Sequence, residues 1–220
     1  MKNTERSLGE LVTTFPMAAK VFQQYQLDYC CGGKQSLADA CAKESLDPET
    51  VLTAIEAASR DKTDETRWDQ RPLPELVQHI LDRYHAPLRT ELPRLIGLAT
   101  KVEAAHAEKP TCPKGLTELL TRVARDVENH LAKEEQILFP LIVAGRGRTA
   151  HMPVQVMMRE HDDHGEDLRA IREITNQRKV PEDACATWRE LYRALGEFET
   201  ELMDHIHLEN NILFPRALAS

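Results

Sequence analysis

The segment HLAKEEQILFP (130–140) returns along the chain as HIHLENNILFP (205–215). The two copies are 75 residues apart, and each begins with a His followed four residues later by a Glu. Two single histidines, His85 and His161, are 76 residues apart. The chain therefore carries a duplicated arrangement, in which a single His precedes each His-x3-Glu pair.

Apolar residues around this repeat step by three and four positions along four segments, which is the spacing of a buried helical seam. The clearest run is Leu116, Leu120, Val123, Val127, His130, Glu134, Ile137 and Leu141. Four such segments with short connections predict an antiparallel four-helix bundle. We expect ILFP to stop its helix, and Pro87 and Pro93 to bend or interrupt the first helix, because proline lacks a backbone N–H.

Polar residues occupy seam positions that should be buried. A buried carboxylate is costly unless it is paired or binds a metal. Residues i and i+4 share one helical face, so each His-x3-Glu pair presents an imidazole and a carboxylate to one point. With the two single histidines, four His and two Glu converge. A metal-free polar network is one reading; the other is a metal pair bridged by the two Glu, for which iron fits better than manganese or zinc.

Composition excludes several classes of protein. The 220 residues carry 28 Lys and Arg against 36 Asp and Glu, for a net charge of −8. Such a chain is a poor ligand for nucleic acid or an anionic membrane. It has no long apolar run and no secretory N-terminus, and its five Cys form no dense framework. We therefore expect a cytoplasmic protein with reduced thiols.

The pattern divides the chain into a small helical domain at 1–60, a polar linker at 61–72 and the bundle at 73–220. In the first, Ser36 and Asp47 are expected to cap helices. Cys30 and Cys31 lie in a loop with two Gly and with Lys34 nearby. These thiols are either partly buried structural groups or a pair for redox exchange, transient iron binding or nitrosyl transfer, with Lys34 lowering their pKa. The linker would let this loop swing toward the bundle.

The motifs resemble the hemerythrin-like di-iron fold and, more closely, the iron–sulfur cluster repair di-iron proteins of the RIC family. The match covers nearly the whole chain. The first part of the chain, including the CCGG loop, resembles the family's small N-terminal domain, and HLAKEEQILFP, MREHDDHGE and MDHIHLENNILFPRAL resemble its bundle motifs. The resemblance implies an all-α fold with a hemerythrin-like bundle and a small helical N-terminal domain.

The resemblance also implies the ligands of two non-haem irons bridged by oxo and carboxylate groups. Carried over residue by residue, the ligands are His85, His130, Glu134, His161, His205 and Glu209. Glu134 and Glu209 would be the bridges. Oxygen-carrying hemerythrins have a further His one turn after the third-helix ligand, where this chain has Gly165.

By resemblance, the protein would help to restore iron–sulfur clusters damaged by nitric oxide or oxidants. It would supply iron, act on nitric oxide, or do both, and its partners would be damaged iron–sulfur proteins or cluster-assembly proteins. An oxygen or nitric oxide carrier or sensor is the alternative, and a ferroxidase-type enzyme is a third class. We assign no catalytic residue, and the sequence leaves open whether the chain forms a homodimer.

Residues outside the ligand set receive structural interpretations. His164 is either a supporting residue or a further ligand, and His106 is a structural histidine. Glu160 and Asp204 precede ligand histidines and could support them. Glu135 should point away from the centre, since it lies about 100° round the helix from Glu134. The residues expected at the surface are His79, His151 and His207; those expected in the core or at the surface without a partner are Cys41, Cys112 and Cys185.

Overall fold

The computed structural model describes residues 3–59 and 66–220, and these residues fold into helices with no β-strand. The predicted all-α fold is confirmed. Its α-helices are α1 Leu8–Thr14, α2 Met17–Gln24, α3 Leu37–Lys43, α4 Pro48–Ser59, α5 Leu73–Ile80, α6 Ala86–His106, α7 Leu116–Lys133, α8 Phe139–Val143, α9 His151–Ile174, α10 Ala186–His207 and α11 Phe214–Ala219. In the same part of the chain, no helix has the length and apolarity needed to span a bilayer.

Three π-helical turns join consecutive α-helices in the described chain. They cover Leu81–His85, Glu134–Leu138 and Leu208–Leu213. Each is followed, two residues after its end, by a proline: Pro87, Pro140 and Pro215. The expectation that ILFP stops its helix is wrong, because the chain stays helical through both copies.

A wider turn accounts for this continuity. Proline lacks an N–H and its ring clashes with the carbonyl four residues earlier in an α-helix. In a π-helical turn, backbone hydrogen bonds join residues five apart. The turn therefore changes the hydrogen-bond pattern of the helix just before each proline. Pro93 lies inside α6 without interrupting it.

One compact unit contains the described residues of 1–78 together with 141–151 and 203–220. The helix caps in its first part are as expected: Ser36 Oγ accepts from the Asp39 amide, and Asp47 Oδ2 accepts from the Thr50 amide. Its largest buried side chains include Phe22, Tyr29 and Phe214. The α1 helix packs against the π-helical turn Leu208–Leu213, so the N-terminal helices share a core with the C-terminal end of the chain.

The predicted linker at 61–72 lies partly outside the described residues, which resume at 66. Trp68–Gln70 forms a short 3-10 turn. The Arg216 guanidinium donates to the carbonyl oxygens of Trp68 at 2.8 Å and Arg71 at 2.6 Å. The end of the linker is thus held by α11, while the division at 1–60 and 73–220 stays a sequence-based prediction.

The other compact unit contains residues 79–140 and 152–202. In it α6 packs along α7. Its core is built from seam residues such as Leu95, Leu116 and Trp188, all fully buried. Glu199 pairs with both Arg172 and Arg178, which ties α10 to the end of α9. The predicted 3/4 spacing thus corresponds to buried helix faces as far as Glu134. Ile137, predicted on the same seam, is 53% exposed, because the π-helical turn that begins at Glu134 shifts the register.

A pair of glycine substitutions tests the close packing of the CCGG loop. A Cβ at Gly33 would lie 2.6 Å from both the Tyr29 carbonyl oxygen and Asn211 Oδ1, whereas a Cβ at Gly97 on the surface of α6 would meet nothing within 4 Å. We expect Gly33→Ala to lower the free energy of unfolding by about 1–3 kcal/mol through overpacking. Gly97→Ala should raise it by ~1 kcal/mol through helix propensity. Urea denaturation measures both, and equal effects would contradict the packing described.

Candidate metal centre

Four of the predicted ligands lie in the unit of residues 79–140 and 152–202. His85 ends a π-helical turn, His130 lies in the last turn of α7, Glu134 begins the next π-helical turn and His161 lies within α9. All four side chains are buried, and Glu134 is 0% exposed. Local helical geometry therefore places four potential metal-binding groups in the interior of this unit.

The imidazole Nε2 atoms converge on the Glu134 carboxylate. Glu134 Oε2 lies 3.4 Å from His85 Nε2 and 3.4 Å from His130 Nε2. His130 Nε2 and His161 Nε2 are 3.0 Å apart, and the ligand atoms of His130, Glu134 and His161 all lie within 4.8 Å of one another. Within the described residues, neither oxygen of Glu134 has a hydrogen-bond partner.

This arrangement fits a cation. A buried carboxylate without hydrogen bonds is costly, and a metal ion removes that cost by accepting its lone pairs. Imidazole and carboxylate donors without a thiolate suit iron among the common transition metals. These buried His and Glu side chains therefore fit the metal centre that the sequence predicts.

Two further carboxylates orient the imidazoles. His85 Nδ1 lies 2.9 Å from Glu135 Oε1, and His130 Nδ1 lies 3.0 Å from Glu160 Oε2. When Nδ1 carries the proton and donates it, the Nε2 lone pair is left facing the centre. The hydrogen bond from His130, helped by one from Lys133, lowers the pKa of Glu160 to about 2.

The expectation that Glu135 points away from the centre is wrong. Burial would raise the pKa of Glu135, but hydrogen bonds from Arg89 and His85 outweigh it and lower the pKa. A side chain 100° round α7 from Glu134 faces the neighbouring helix, and here that neighbour carries His85 and Arg89. Glu160 contacts the predicted ligand His130 on another helix rather than His161, which it precedes.

The second copy of the repeat lies in the other unit. His205 Nε2 is 3.0 Å from Glu209 Oε1, and both residues are buried. His205 lies in the last turn of α10 and Glu209 lies at the start of the following π-helical turn. In each copy, the His and the Glu thus present their side chains on the same face of their own helix, as their spacing predicts.

Two other histidines occupy structural positions. His164 is buried, with its ring centroid 5.1 Å from that of His130. His106 Nε2 lies 3.2 Å from Cys185 Sγ, which agrees with a structural role. His164 therefore supports the packing of a predicted ligand.

The expectation that His207 lies at the surface is wrong. His207 is buried, and burial lowers its pKa to about 4. Its Nδ1 lies 3.1 Å from Asn211 Nδ2, and its ring packs at 5.8 Å from the ring of Tyr29. His151 is exposed and His79 half-buried. The burial of His207 cannot be predicted from its own helix, because the segment that covers it lies far away in the sequence.

That covering segment is the CCGG loop. The Tyr29 hydroxyl donates to Asp204 Oδ1 at 2.6 Å, and Asn211 Nδ2 donates to the Tyr29 carbonyl at 3.2 Å. The loop is docked on the segment that carries His205 and Glu209, which does not agree with a freely swinging loop. Asp204 therefore binds the loop through Tyr29.

The thiols of this loop differ from expectation. Cys30 is buried, and Cys31 is half-buried. The hydrogen bond with Cys31, burial and the negative charges of Cys31 and Asp28 raise the pKa of Cys30 well above its usual value. Lys34 is exposed and does not offset these effects. Cys30 is therefore not activated by a nearby cation.

Comparison with known proteins agrees with this centre. The family model described as hemerythrin HHE cation binding domain matches residues 76–217, and a domain of unknown function, DUF542, matches residues 4–59. An iron-sulfur cluster repair protein YtfE from Escherichia coli O157:H7 is 49% identical over 219 residues, which cover 100% of this chain and 99% of that protein. The protein of the same name from Dickeya chrysanthemi is 47% identical over 218 residues, 99% of each.

The chain belongs to the family of hemerythrin-domain iron–sulfur cluster repair proteins. The predicted hemerythrin-like fold class is thereby confirmed. The cation-binding domain model spans every predicted His and Glu ligand, and together with the buried His and Glu groups it indicates a metal centre suited to iron.

Substitutions of the two carboxylates that contact the predicted ligand imidazoles test their orienting role. Glu135→Ala or Glu160→Ala should lower metal affinity by roughly 10–100-fold, because each releases a ligand imidazole. Glu128→Ala is the matched control, since Glu128 also binds Arg89 but is exposed and contacts no predicted ligand. Metal retained after dialysis against a chelator is the measurement. Equal retention in Glu135→Ala and Glu128→Ala would contradict the orienting role.

Proposed function

We propose that the protein repairs iron–sulfur clusters damaged by nitrosative or oxidative stress, in the cytoplasm, by means of a di-iron centre. The observation that carries the proposal is the Glu134 carboxylate, which is fully buried, makes no hydrogen bond and faces two imidazoles. Relatives that share nearly the whole chain are named as cluster repair proteins, which supports the biological role.

The proposed ligands are four histidines and two glutamates. His130 and His161 would hold one iron, and His85 and His205 the other. Glu134 would bridge the two irons, which agrees with its equal distances of 3.4 Å to His85 and His130. Glu209, held at 3.0 Å from His205, would be the second bridge. Two histidines and two carboxylate oxygens per iron, with a bridging oxo group, leave a position for a small ligand.

An iron pair of this kind supplies two chemical capacities, the release of ferrous iron and the binding of nitric oxide. The protein's own residues set the conditions for both. Glu135 and Glu160 hold His85 and His130 with Nε2 toward the centre. The absence of a thiolate among these ligands makes the iron transferable to a softer site.

Cys30 and Cys31 are proposed as the thiols that assist iron transfer. Their loop is fixed to the segment that carries His205 and Glu209, through Tyr29 and Asn211. The recipient would be a damaged iron–sulfur protein or a cluster-assembly protein. Thiolates bind iron well, so a loop of this kind can receive iron from nitrogen and oxygen ligands.

The alternative function is an oxygen or nitric oxide carrier or sensor. Gly165 replaces the further histidine that oxygen-carrying hemerythrins place one turn after the third-helix ligand. A carrier also has no evident use for a docked thiol loop. Both features favour repair over reversible oxygen carriage.

The di-iron proposal predicts the metal content of the purified protein. The parent should hold two irons per chain with oxo-bridged charge-transfer absorption. His130→Leu or His205→Leu should lose at least half of this iron, because each iron would have only two imidazoles. His151→Leu, at an exposed position, is the control. Metal analysis and absorption spectra decide, and one zinc per chain without the absorption would refute the di-iron centre.

The transfer role of the thiols predicts a separation of iron content from repair. The double change Cys30→Ala and Cys31→Ala should keep the iron but lose much of the ability to reactivate an iron–sulfur enzyme inactivated by nitric oxide. Deleting the N-terminal residues is a poorer test, because they share a core with residues 203–220.

Cys185→Ala serves as the control for the thiol pair, since Cys185 is half-buried and lies beside His106. Recovery of enzyme activity and iron per chain are measured together. If the double variant repairs as well as Cys185→Ala, the loop has only a structural role.

A further inference from the structure

A second group of potential metal ligands lies in the CCGG loop. The ligand atoms of Asp28, Cys30 and Cys31 all lie within 4.8 Å of one another. Cys30 Sγ is 3.7 Å from Cys31 Sγ and 3.2 Å from Asp28 Oδ1. Two thiolates on one tetrahedral zinc-like cation are about 3.8 Å apart, and a thiolate and a carboxylate oxygen are about 3.6 Å apart. The distance between the two sulfur atoms is that of two ligands to one ion. The shorter distance between Cys30 Sγ and Asp28 Oδ1 is that of a hydrogen bond, which a cation would replace.

The loop backbone holds these groups in place. Asp28 Oδ1 accepts the backbone amides of Cys30 at 3.2 Å and Cys31 at 3.0 Å, which fixes the carboxylate beside both thiols. A Cβ at Gly32 would lie 2.7 Å from the Asp28 carbonyl oxygen, so the chain can fold back here only with glycine. Ligands that are ordered before binding lose less entropy when a cation arrives.

The loop is also anchored from outside. Asn210 Nδ2 donates to the Cys30 carbonyl at 3.4 Å, and Tyr29, between Asp28 and Cys30, is fully buried. Cys30 is 3% exposed, whereas Cys31 is half-buried. A cation here would have one side toward protein and one side open to exchange.

The electrostatic environment favours a cation. The hydrogen bond with Cys31, burial, and the negative charges of Cys31 and Asp28 raise the pKa of Cys30, because a second negative charge is disfavoured beside the first. A divalent cation reverses this effect and releases the thiol protons as it binds. The two thiolates would select a thiophilic ion over magnesium or calcium.

We propose that Asp28, Cys30 and Cys31 form a second metal site, which holds one exchangeable thiophilic divalent cation, Fe²⁺ or Zn²⁺. The fourth position of this ion would be open to an incoming ligand. The use of this site in repair rests on the proposed function. The site itself is distinguished from the His and Glu centre by its two sulfur ligands.

Cobalt provides a direct probe of this site. Co²⁺ is added without oxygen to the full-length, iron-loaded protein, so that the His and Glu ligands are already occupied. We expect thiolate-to-cobalt charge-transfer absorption that saturates at one Co²⁺ per chain, and displacement of Co²⁺ by Zn²⁺. Absence of this absorption would refute the site, and competition with Fe²⁺ distinguishes the two ions.

Substitutions assign the ligands. Cys30→Ser or Cys31→Ser should remove most of the absorption, and Cys31 is half-buried, so its change disturbs folding least. Asp28→Asn keeps an oxygen that can accept the two amides but removes the charge. It should weaken binding at least as much as loss of a supporting residue, ~10-fold. Unchanged Co²⁺ affinity in Asp28→Asn would exclude the carboxylate as a ligand.

Cys185, a thiol outside the loop, provides the control because it lies beside the imidazole of His106. Cys185→Ser removes the thiol 3.2 Å from His106 Nε2 and should leave the absorption unchanged. Loss of absorption there, with retention in Cys31→Ser, would overturn the proposal. Iron per chain is followed in every variant. Iron loss in Cys31→Ser would show that the sites are not separate, whereas iron loss confined to His130→Leu concerns only the di-iron centre.

Discussion

Burial of the Glu134 carboxylate is the constraint on which the candidate centre depends. A negative charge in the interior, without a hydrogen bond, is tolerated only when cationic or metal-binding groups surround it. The neighbouring features meet that need. His85 and His130 face its oxygen, and Glu135 and Glu160 hold those rings in the orientation that leaves Nε2 available. The polar seam residues here have the chemistry of metal ligands.

The all-α fold and the convergence within each His-x3-Glu pair could be predicted from the sequence, because helical periodicity fixes which residues share a face. Other features depend on which segment covers a face. Glu135 contacts His85 because a neighbouring helix lies beside it, and His207 is buried because Tyr29 packs on it. Periodicity along one helix holds no information about either neighbour. The π-helical turns cannot be predicted from proline alone, because its missing N–H also fits a bend or an end of the helix.

The segment from α10 to α11 combines two kinds of donor. His205 and Glu209 supply nitrogen and oxygen, while Asp204 and Asn211 bind the loop that carries the sulfur donors. Asp204 and Asn211 stand on either side of His205 and Glu209 in the sequence, so one stretch of helix carries both sets. The nitrogen and oxygen donors and the sulfur donors are thus held by the same stretch of helix.

The π-helical turns have a consequence for how such a chain can diverge. Each His-x3-Glu pair ends at the first or second residue of its π-helical turn, so the ligand spacing is complete before most of the wider turn begins. Loss of one residue within 136–138 would rotate Phe139 and the residues beyond it by about 100° and leave His130, Glu134 and Glu135 in register. The His-x3-Glu spacing and the packing of the following helix are therefore separate units of variation, and a length change in this stretch alters the packing while the spacing is kept.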